Sequence, residues 1–324
     1  MAASAPYAST PYSSTLAADA ARVTELAAIA SYAQIGRGDE KAADQLAVDA
    51  MRTALNALDI DGKIVIGEGE RDEAPMLYIG EKVGTGKGPV IDIALDPLEG
   101  TTLTAKAMAN ALCVLSMSPG GGMLHAPDTY MDKIAVGPGY PAGTVDLDNS
   151  PQDNVRNLAK AKGVPASEIT VCVMDRPRHA ELIAALREVG AKVVLITDGD
   201  VAGVIHTAEP ETGIDMYLGS GGAPEGVLAA SALKCVGGFF QGRLIFRNDD
   251  ERERARKTGV TDFDRKYDLH ELVSKDAIFA ATGVTKGAML DGVQFRDGFV
   301  TTHTLVMDSS TRTVQRIRTT RPVA

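Results

Sequence analysis

The run Val90-Ile91-Asp92-Ile93-Ala94-Leu95, followed at once by Asp96-Pro97-Leu98-Glu99-Gly100-Thr101, constrains this chain more than any other stretch. The first six residues are apolar enough for a buried strand, so the chain must supply a sheet covered on both faces. Asp96 is expected where that strand emerges, and Pro97, which cannot donate to a ladder, is expected to end it. Gly100 lets the backbone come close to a ligand, and Thr101 and Thr102 are placed to cap a helix running from Leu103 to Met108. Anions are stabilised at such a helix start. Asp96 and Glu99, three residues apart across a turn, can give oxygens to one hard divalent cation or bridge two. A turn with ordinary acidic residues is the bland alternative. The combination is rare at average composition, and it points to a metal-assisted phosphatase site.

The 324 residues suit two domains or one large one, and a 44% hydrophobic fraction is ample for a sizeable core. A formal net charge of -10 argues against nucleic acid or an anionic membrane surface as the main partner. It does not exclude an anionic substrate, because a bound cation reverses the local field. Cys113, Cys172 and Cys235 each lie in an apolar run without CxxC spacing, which fits buried thiols in a reduced, cytoplasmic protein. No apolar stretch approaches the roughly 20 residues that span a bilayer. Residues 1–14 lack the basic start and apolar segment of a signal peptide and read as a loose tail.

Apolar residues recur at helical spacing from Leu16 to Ile35 and again from about Lys41 to Leu58, where Asp44 lies beside the apolar stripe. A carboxylate there is costly unless paired or metal-bound. Asp61-Gly62 is expected to turn the chain into a strand from Lys63 to Ile66, which Gly67-Glu68-Gly69-Glu70 closes. Ala111–Met117 and Lys133–Val136 read as further strands. Gly, Pro, Asn and Asp gather between Thr144 and Asp153, which places a domain boundary there, so that 15–150 form one domain and 151–324 a second α/β domain. Beyond it, Ile169–Met174, His179–Val189, Val193–Thr197, Gly213–Leu218 and Pro224–Cys235 alternate as strand, helix, strand, strand and helix. That order favours a largely parallel sheet with ligands at its strand ends. Three of those ends carry polar clusters: Asp175–His179, Asp198–Asp200 and Gly219–Glu225. Arg247–Lys257, charged almost throughout, reads as a solvated helix. Asp-Gly pairs at 291–292 and 297–298 suggest antiparallel strands near the C-terminus.

Asp44, Glu68, Asp96, Glu99 and Glu225 stand where ordinary packing would not choose carboxylates, and together they resemble an oxygen cage for Mg²⁺ or Mn²⁺. Zinc would recruit His or Cys, and none of the five histidines has ligand spacing with another. Taken singly, Asp44 reads equally well as a helix-surface acid, and Glu225 as a first-turn acid stabilised by the helix dipole.

Ile64–Glu70, Asp72–Leu77, the hexapeptide, Ala126–Met131, Arg176–His179 and Gly221–Gly226 resemble, in order and spacing, the class II fructose-1,6-bisphosphatases and their dual fructose-1,6-/sedoheptulose-1,7-bisphosphatase subgroup. The likeness covers about residues 30–320. It implies the α/β fold layered α/β/α/β/α of the lithium-sensitive phosphatases, a cytoplasmic homodimer or homotetramer, and Mg²⁺ or Mn²⁺ as cofactor. It assigns Asp44 and Glu68 to one metal and Asp96, Glu99 and Glu225 to the others. Glu99, Gly100 and Thr101 would face the scissile phosphate, and Tyr130, Arg176-Pro177-Arg178, Asp198-Gly199-Asp200 and Gly222 would hold the rest of the sugar bisphosphate. Two guanidiniums suit a second phosphate, and two short acids suit sugar hydroxyls. Glu40 departs from the basic residue that relatives often carry there, with Lys41 as a substitute.

The expected reaction is direct hydrolysis of the 1-phosphate. Thr101 would orient the attacking water, and Asp72 would accept its proton. Thr101 has no evident adjacent base to make it a covalent nucleophile. The hexapeptide alone is shared with phosphatases of inositol phosphates and 3'-phosphonucleotides; a non-catalytic sugar-phosphate sensor is the remaining reading from another class.

Overall fold

The computed structural model describes residues 11–69 and 76–323, and Asp72 lies outside them. The first helix, α1 (Pro11–Ser31), opens with a proline in its first turn, where a missing N–H costs nothing, so it starts inside the stretch expected to be a tail. A 3₁₀ turn leads to α2 (Glu40–Asn56), capped by the Asp39 carboxylate on Ala42 N at 2.9 Å. The strands β1 (Asp61–Ile66), β2 (Lys82–Val83), β3 (Val90–Glu99) and β4 (Leu112–Pro119) come next, with the single-turn helix α3 (Thr101–Ala105) between the last two. Asp61-Gly62 is therefore the beginning of a strand and not a turn before one, since Gly62 pairs with both Val83 and Ile91.

The chain then enters a second sheet through β5 (Tyr130–Val136). After α4 (Pro151–Lys162), it forms β6 (Thr170–Met174), α5 (Ala180–Glu188), β7 (Lys192–Ile196), α6 (Asp200–Ile205), β8 (Met216–Gly222), α7 (Ala223–Val236) and β9 (Phe239–Ile245). Next come α8 (Asp249–Lys257), β10 (Lys266–Asp268) and α9 (Leu269–Leu272). The chain closes with β11 (Ile278–Gly283), β12 (Gln294–Arg296), β13 (Phe299–Asp308) and β14 (Thr313–Pro322). The turn between β12 and β13 is Asp297-Gly298, both residues at positive φ, as the sequence suggests for a hairpin.

These four last strands do not stay with the second sheet. They return to the first, whose order is β12-β13-β11-β4-β3-β1-β2 with β14 beside β13. The second sheet runs β10-β9-β5-β8-β6-β7. Strand β5 lies before the 144–153 stretch and β11–β14 lie after it, so the sheets do not divide the chain at that point. Nor is the second sheet largely parallel. Only β6 pairs in parallel with its neighbours β7 and β8, while β5, which the strand-helix pattern could not place, inserts antiparallel between β8 and β9.

Three apolar clusters give the layering. One joins α1 and α2 to the outer face of the first sheet, through residues such as Ala27, Met51, Ile93 and Leu115. A second lies between the sheets around α7, whose residues are buried on nearly every side, as a helix clamped between two layers requires. The third joins the outer face of the second sheet to α4 and α5. The order is α/β/α/β/α, as expected.

Candidate active site

Strand β3 does not stop at Asp96. It continues through Pro97 to Glu99, and against β4 the pairing moves from Asp96↔Val114 to Glu99↔Leu112, three steps on one strand for two on the other. This is a β-bulge, and a residue without an N–H can sit in one without losing a ladder bond. The bulge has a consequence for the site. In a regular strand, residues three apart face opposite sides. Ala94 packs between the sheets, Leu95 and Leu98 pack toward α2, and the extra residue brings Glu99 back to the side shared with Asp96. Both carboxylates of the hexapeptide thus face the space between the sheets.

Gly100 carries the turn out of β3 at φ +88° and is itself the N-cap of α3, so neither Thr101 nor Thr102 caps the helix with its side chain. That helix has five residues instead of continuing to Met108. A single turn contributes little macrodipole, and the phosphate-binding case does not rest on it. Thr101 begins α3 and lines the cleft together with Asp44 from α2, Glu68 after β1, Asp96, Gly100, Asp128, Asp198 and Glu225 at the start of α7. This lobe encloses about 440 Å³. A second lobe of about 200 Å³ is lined by Glu99, Tyr130, Met174, Arg176, Arg178, Gly199, Asp200, Gly221 and Gly222, and it shares Asp96, Gly100, Asp198 and Glu225 with the first. All the expected residues within the described chain therefore border one bilobed cleft, except Pro177, which opens the 3₁₀ turn carrying the arginines.

The carboxylate lobe is electrostatically costly. Burial, reinforced by Asp44 and Glu225, pushes the Glu68 carboxyl up to about 8. Burial first and then its acidic neighbours hold Asp96 well above the usual range. Glu99 is raised by burial and by Asp200, although its Oε1 accepts Val201 N at 2.7 Å. Asp44 is raised by burial, and Glu225 by burial and Asp200. Glu99 Oε2 and Glu225 Oε2 are buried with no hydrogen-bond partner. Among the described residues, no three His, Cys, Asp or Glu side chains are already closed around a common point as a finished ion site. Asp44, Glu68, Asp96 and Glu225 border the first lobe and Glu99 the second, without converging.

The second lobe differs in adding two guanidiniums to the five carboxylates that line it, those of Asp96, Glu99, Asp198, Asp200 and Glu225. Arg178 gives Nε to Ser220 Oγ at 3.0 Å and a terminal nitrogen to Ser220 O at 2.7 Å, and Arg176 bonds the carbonyl of Asp175. Neither arginine forms an ion pair with Asp175 or Glu181 among the described residues, so both keep their charge for a ligand. Tyr130 lies under the guanidiniums of Arg178 and Arg247, each 4.9 Å from its ring centroid.

Three contributors escape the sequence reading. Lys133, 1% exposed, pairs with Asp200 at 2.5 Å, so Asp200 is held by a buried ammonium as well as bordering the sugar lobe. Its sole signal is a lysine in an otherwise apolar strand half. Arg247, placed in a solvated face by its sequence, is exposed but reaches Tyr130 while bonded to the buried Glu251. Ser220 receives Arg178, and Gly219–Gly222, expected as a loop beyond the strand, lie within β8, where Gly222 pairs with Tyr130. Glycine leaves the last two positions free for neighbouring carboxylates: a Cβ on Gly221 would come within 1.9 Å of Asp200 Oδ2, and one on Gly222 within 1.9 Å of Glu225 Oε2, so either would displace that carboxylate.

A profile described as bacterial fructose-1,6-bisphosphatase, glpX-encoded, matches residues 14–321. The chain belongs to that family. An Escherichia coli protein named fructose-1,6-bisphosphatase 1 class 2 is 47% identical over 316 residues, 94% of either chain. A Synechococcus sp. protein named D-fructose 1,6-bisphosphatase class 2/sedoheptulose 1,7-bisphosphatase is 45% identical over 322 residues, 92% of either chain. An inositol monophosphatase structure from Anabaena (Nostoc) sp. PCC 7120 overlaps 59% of this chain and 71% of its own at 15% identity and a TM-score of 0.30, too low for conclusions about fold or substrate. Membership of the family makes the chain a phosphoric monoester hydrolase, and no helix among the described residues is long and apolar enough to cross a membrane.

Proposed function

We infer that the chain hydrolyses the 1-phosphate of fructose 1,6-bisphosphate, and that it also accepts sedoheptulose 1,7-bisphosphate. The observation that carries this reading is the bilobed cleft, in which one lobe has acids as its only charged lining and the other adds Arg176 and Arg178 to its carboxylates, the two joined through Asp96, Gly100, Asp198 and Glu225. A sugar with a phosphate at either end matches it, because one phosphate needs cations among the carboxylates and the other needs the arginines. The buried, unpartnered oxygens of Glu99 and Glu225 and the mutual repulsion of the acids fit hard divalent cations. Asp44, Glu68, Asp96, Glu99 and Glu225 would hold Mg²⁺ or Mn²⁺, which neutralises phosphate charge and acidifies water.

The chain's own groups then have distinct tasks. The Thr101 hydroxyl orients the attacking water, and Asp72 takes its proton. Tyr130, Arg176 and Arg178 hold the distal phosphate, and Asp198 accepts from a sugar hydroxyl. Asp200, tied to Lys133, lines the second lobe beside the arginines. The arrangement favours a bisphosphate over inositol monophosphates, which would leave the Arg178 charge without an anion to pair with.

Charge-assisted bonds are worth about 1.5–3 kcal/mol each, so Arg178→Ala should lower kcat/KM for fructose 1,6-bisphosphate roughly ten- to a hundredfold. Fructose 1-phosphate, which lacks the distal group, should lose far less. Equal losses on the two substrates in steady-state phosphate release would remove the arginine lobe from the binding of substrate.

A further inference from the structure

Arg178 is exposed, yet the next residue, His179, is 3% exposed, and the proposed reaction leaves it unused. His179 Nδ1 lies 2.8 Å from the carbonyl oxygen of Met174 at the end of β6. Its Nε2 lies 2.9 Å from the backbone nitrogen of Ser220 and 3.0 Å from Ser220 Oγ in β8. A carbonyl only accepts and a backbone N–H only donates, so these partners select one tautomer: the proton sits on Nδ1, and Nε2 is an acceptor. Ser220 Oγ can then donate to Nε2 while accepting from Arg178 Nε at 3.0 Å, and Ser220 O accepts the second Arg178 bond at 2.7 Å. The fit is close, because a Cβ on Gly219 would stand 3.3 Å from the imidazole ring.

We propose that His179 is the positioning residue that aims Arg178 at the phosphate that is not cleaved, acting through Ser220 and only as the neutral, Nδ1-protonated ring. The proposal rests on the bisphosphate reading of the cleft. A second proton, on Nε2, would set a donor against the Ser220 N–H and reverse the Ser220 hydroxyl, removing the fixed acceptor on which Arg178 rests. Arg176 and Arg178 on the same segment oppose that proton, while Asp132, paired with Ser220 across the β5–β8 ladder, favours it. Burial dominates and keeps the ring below its ordinary pKa. Arg178 is therefore held above that lowered pKa and released as pH falls through it.

The test is steady-state hydrolysis of fructose 1,6-bisphosphate and fructose 1-phosphate between about pH 5 and 8, with unaltered protein, His179→Gln and His179→Phe. The Gln amide oxygen can accept from Ser220, and Phe fills the space without an acceptor. At neutral pH, His179→Phe should raise KM for the bisphosphate about tenfold with kcat little changed and fructose 1-phosphate kinetics unaltered, and His179→Gln should recover part of the loss. The unaltered protein should show a steeper rise in bisphosphate KM toward acid than either variant, whose remaining rise reports protonation of the substrate phosphate at about pH 6. Nitrogen NMR of the unaltered protein, which does not depend on how the variants fold, should report Nδ1–H. Equal losses on the two substrates, an acid rise as steep in His179→Gln as in the unaltered protein, or an Nε2–H ring would each overturn the proposal while leaving the hydrolase reading intact. No hydrolysis of the bisphosphate by unaltered protein would overturn both.

Discussion

Glu68 shows how far the site departs from a pattern that packing alone would choose. With no cation, its folded carboxyl is raised from an ordinary 4.5 to about 8. The folded state therefore binds more protons than the unfolded state between those values, and the linkage relation gives stability that falls as pH rises across that window. Asp96 and Glu99 are raised in the same direction. Metal-free protein should thus lose stability from about pH 4.5 to about pH 8, saturating Mg²⁺ should restore it above pH 7, and Glu68→Gln should flatten the fall. Chemical denaturation at several pH values measures this. A metal-free protein whose stability climbs over that range, or a Glu68→Gln variant with an unchanged slope, would contradict the repulsion ascribed to this lobe. The five acids were legible as a set because each stands where ordinary packing would not choose a carboxylate, although Asp44 and Glu225 taken singly read equally well as ordinary acids. Their repulsion was not, because it depends on distances between α2, β1, β3 and α7.

At the scale of elements, the strand leading to Asp96 was legible because a run with five apolar residues in six has few other uses. Its continuation past Asp96 was not. Pro97 is as compatible with a bulge as with a strand end, and only pairing with β4 distinguishes them. Gly219–Gly222 look like loop residues for the same reason, yet they extend β8 because Asp200, Glu225 and His179 occupy the space that side chains would need. Gly222 has φ −63° and ψ 140°, a backbone that alanine adopts freely, so any penalty at this position comes from its neighbour. Gly222→Ala should leave the melting temperature within a few degrees while displacing the Glu225 carboxylate and cutting kcat about tenfold or more. Parental turnover would mean that Glu225 does not need its place above Gly222.

Across the whole molecule, the order of the layers came only through the family resemblance, and the path between them was not legible. Strand β5 crosses into the second sheet and β11–β14 return to the first, so contacts such as Lys133 with Asp200, 67 residues apart, have no local signature. That crossing sets the cleft between the two sheets, with carboxylates from the first facing arginines from the second. On the proposed reading, cations held by those carboxylates enable hydrolysis of a sugar bisphosphate. The most direct measurement is phosphate release from fructose 1,6-bisphosphate by the full chain and by Asp96→Asn, with Mg²⁺ or Mn²⁺, after chelation, and after the cation is returned. The account predicts turnover that disappears on chelation, returns with the cation, and is lost by a hundredfold or more in an Asp96→Asn protein that keeps its circular dichroism. Turnover that survives chelation, or an Asp96→Asn variant as active as its parent, would contradict it.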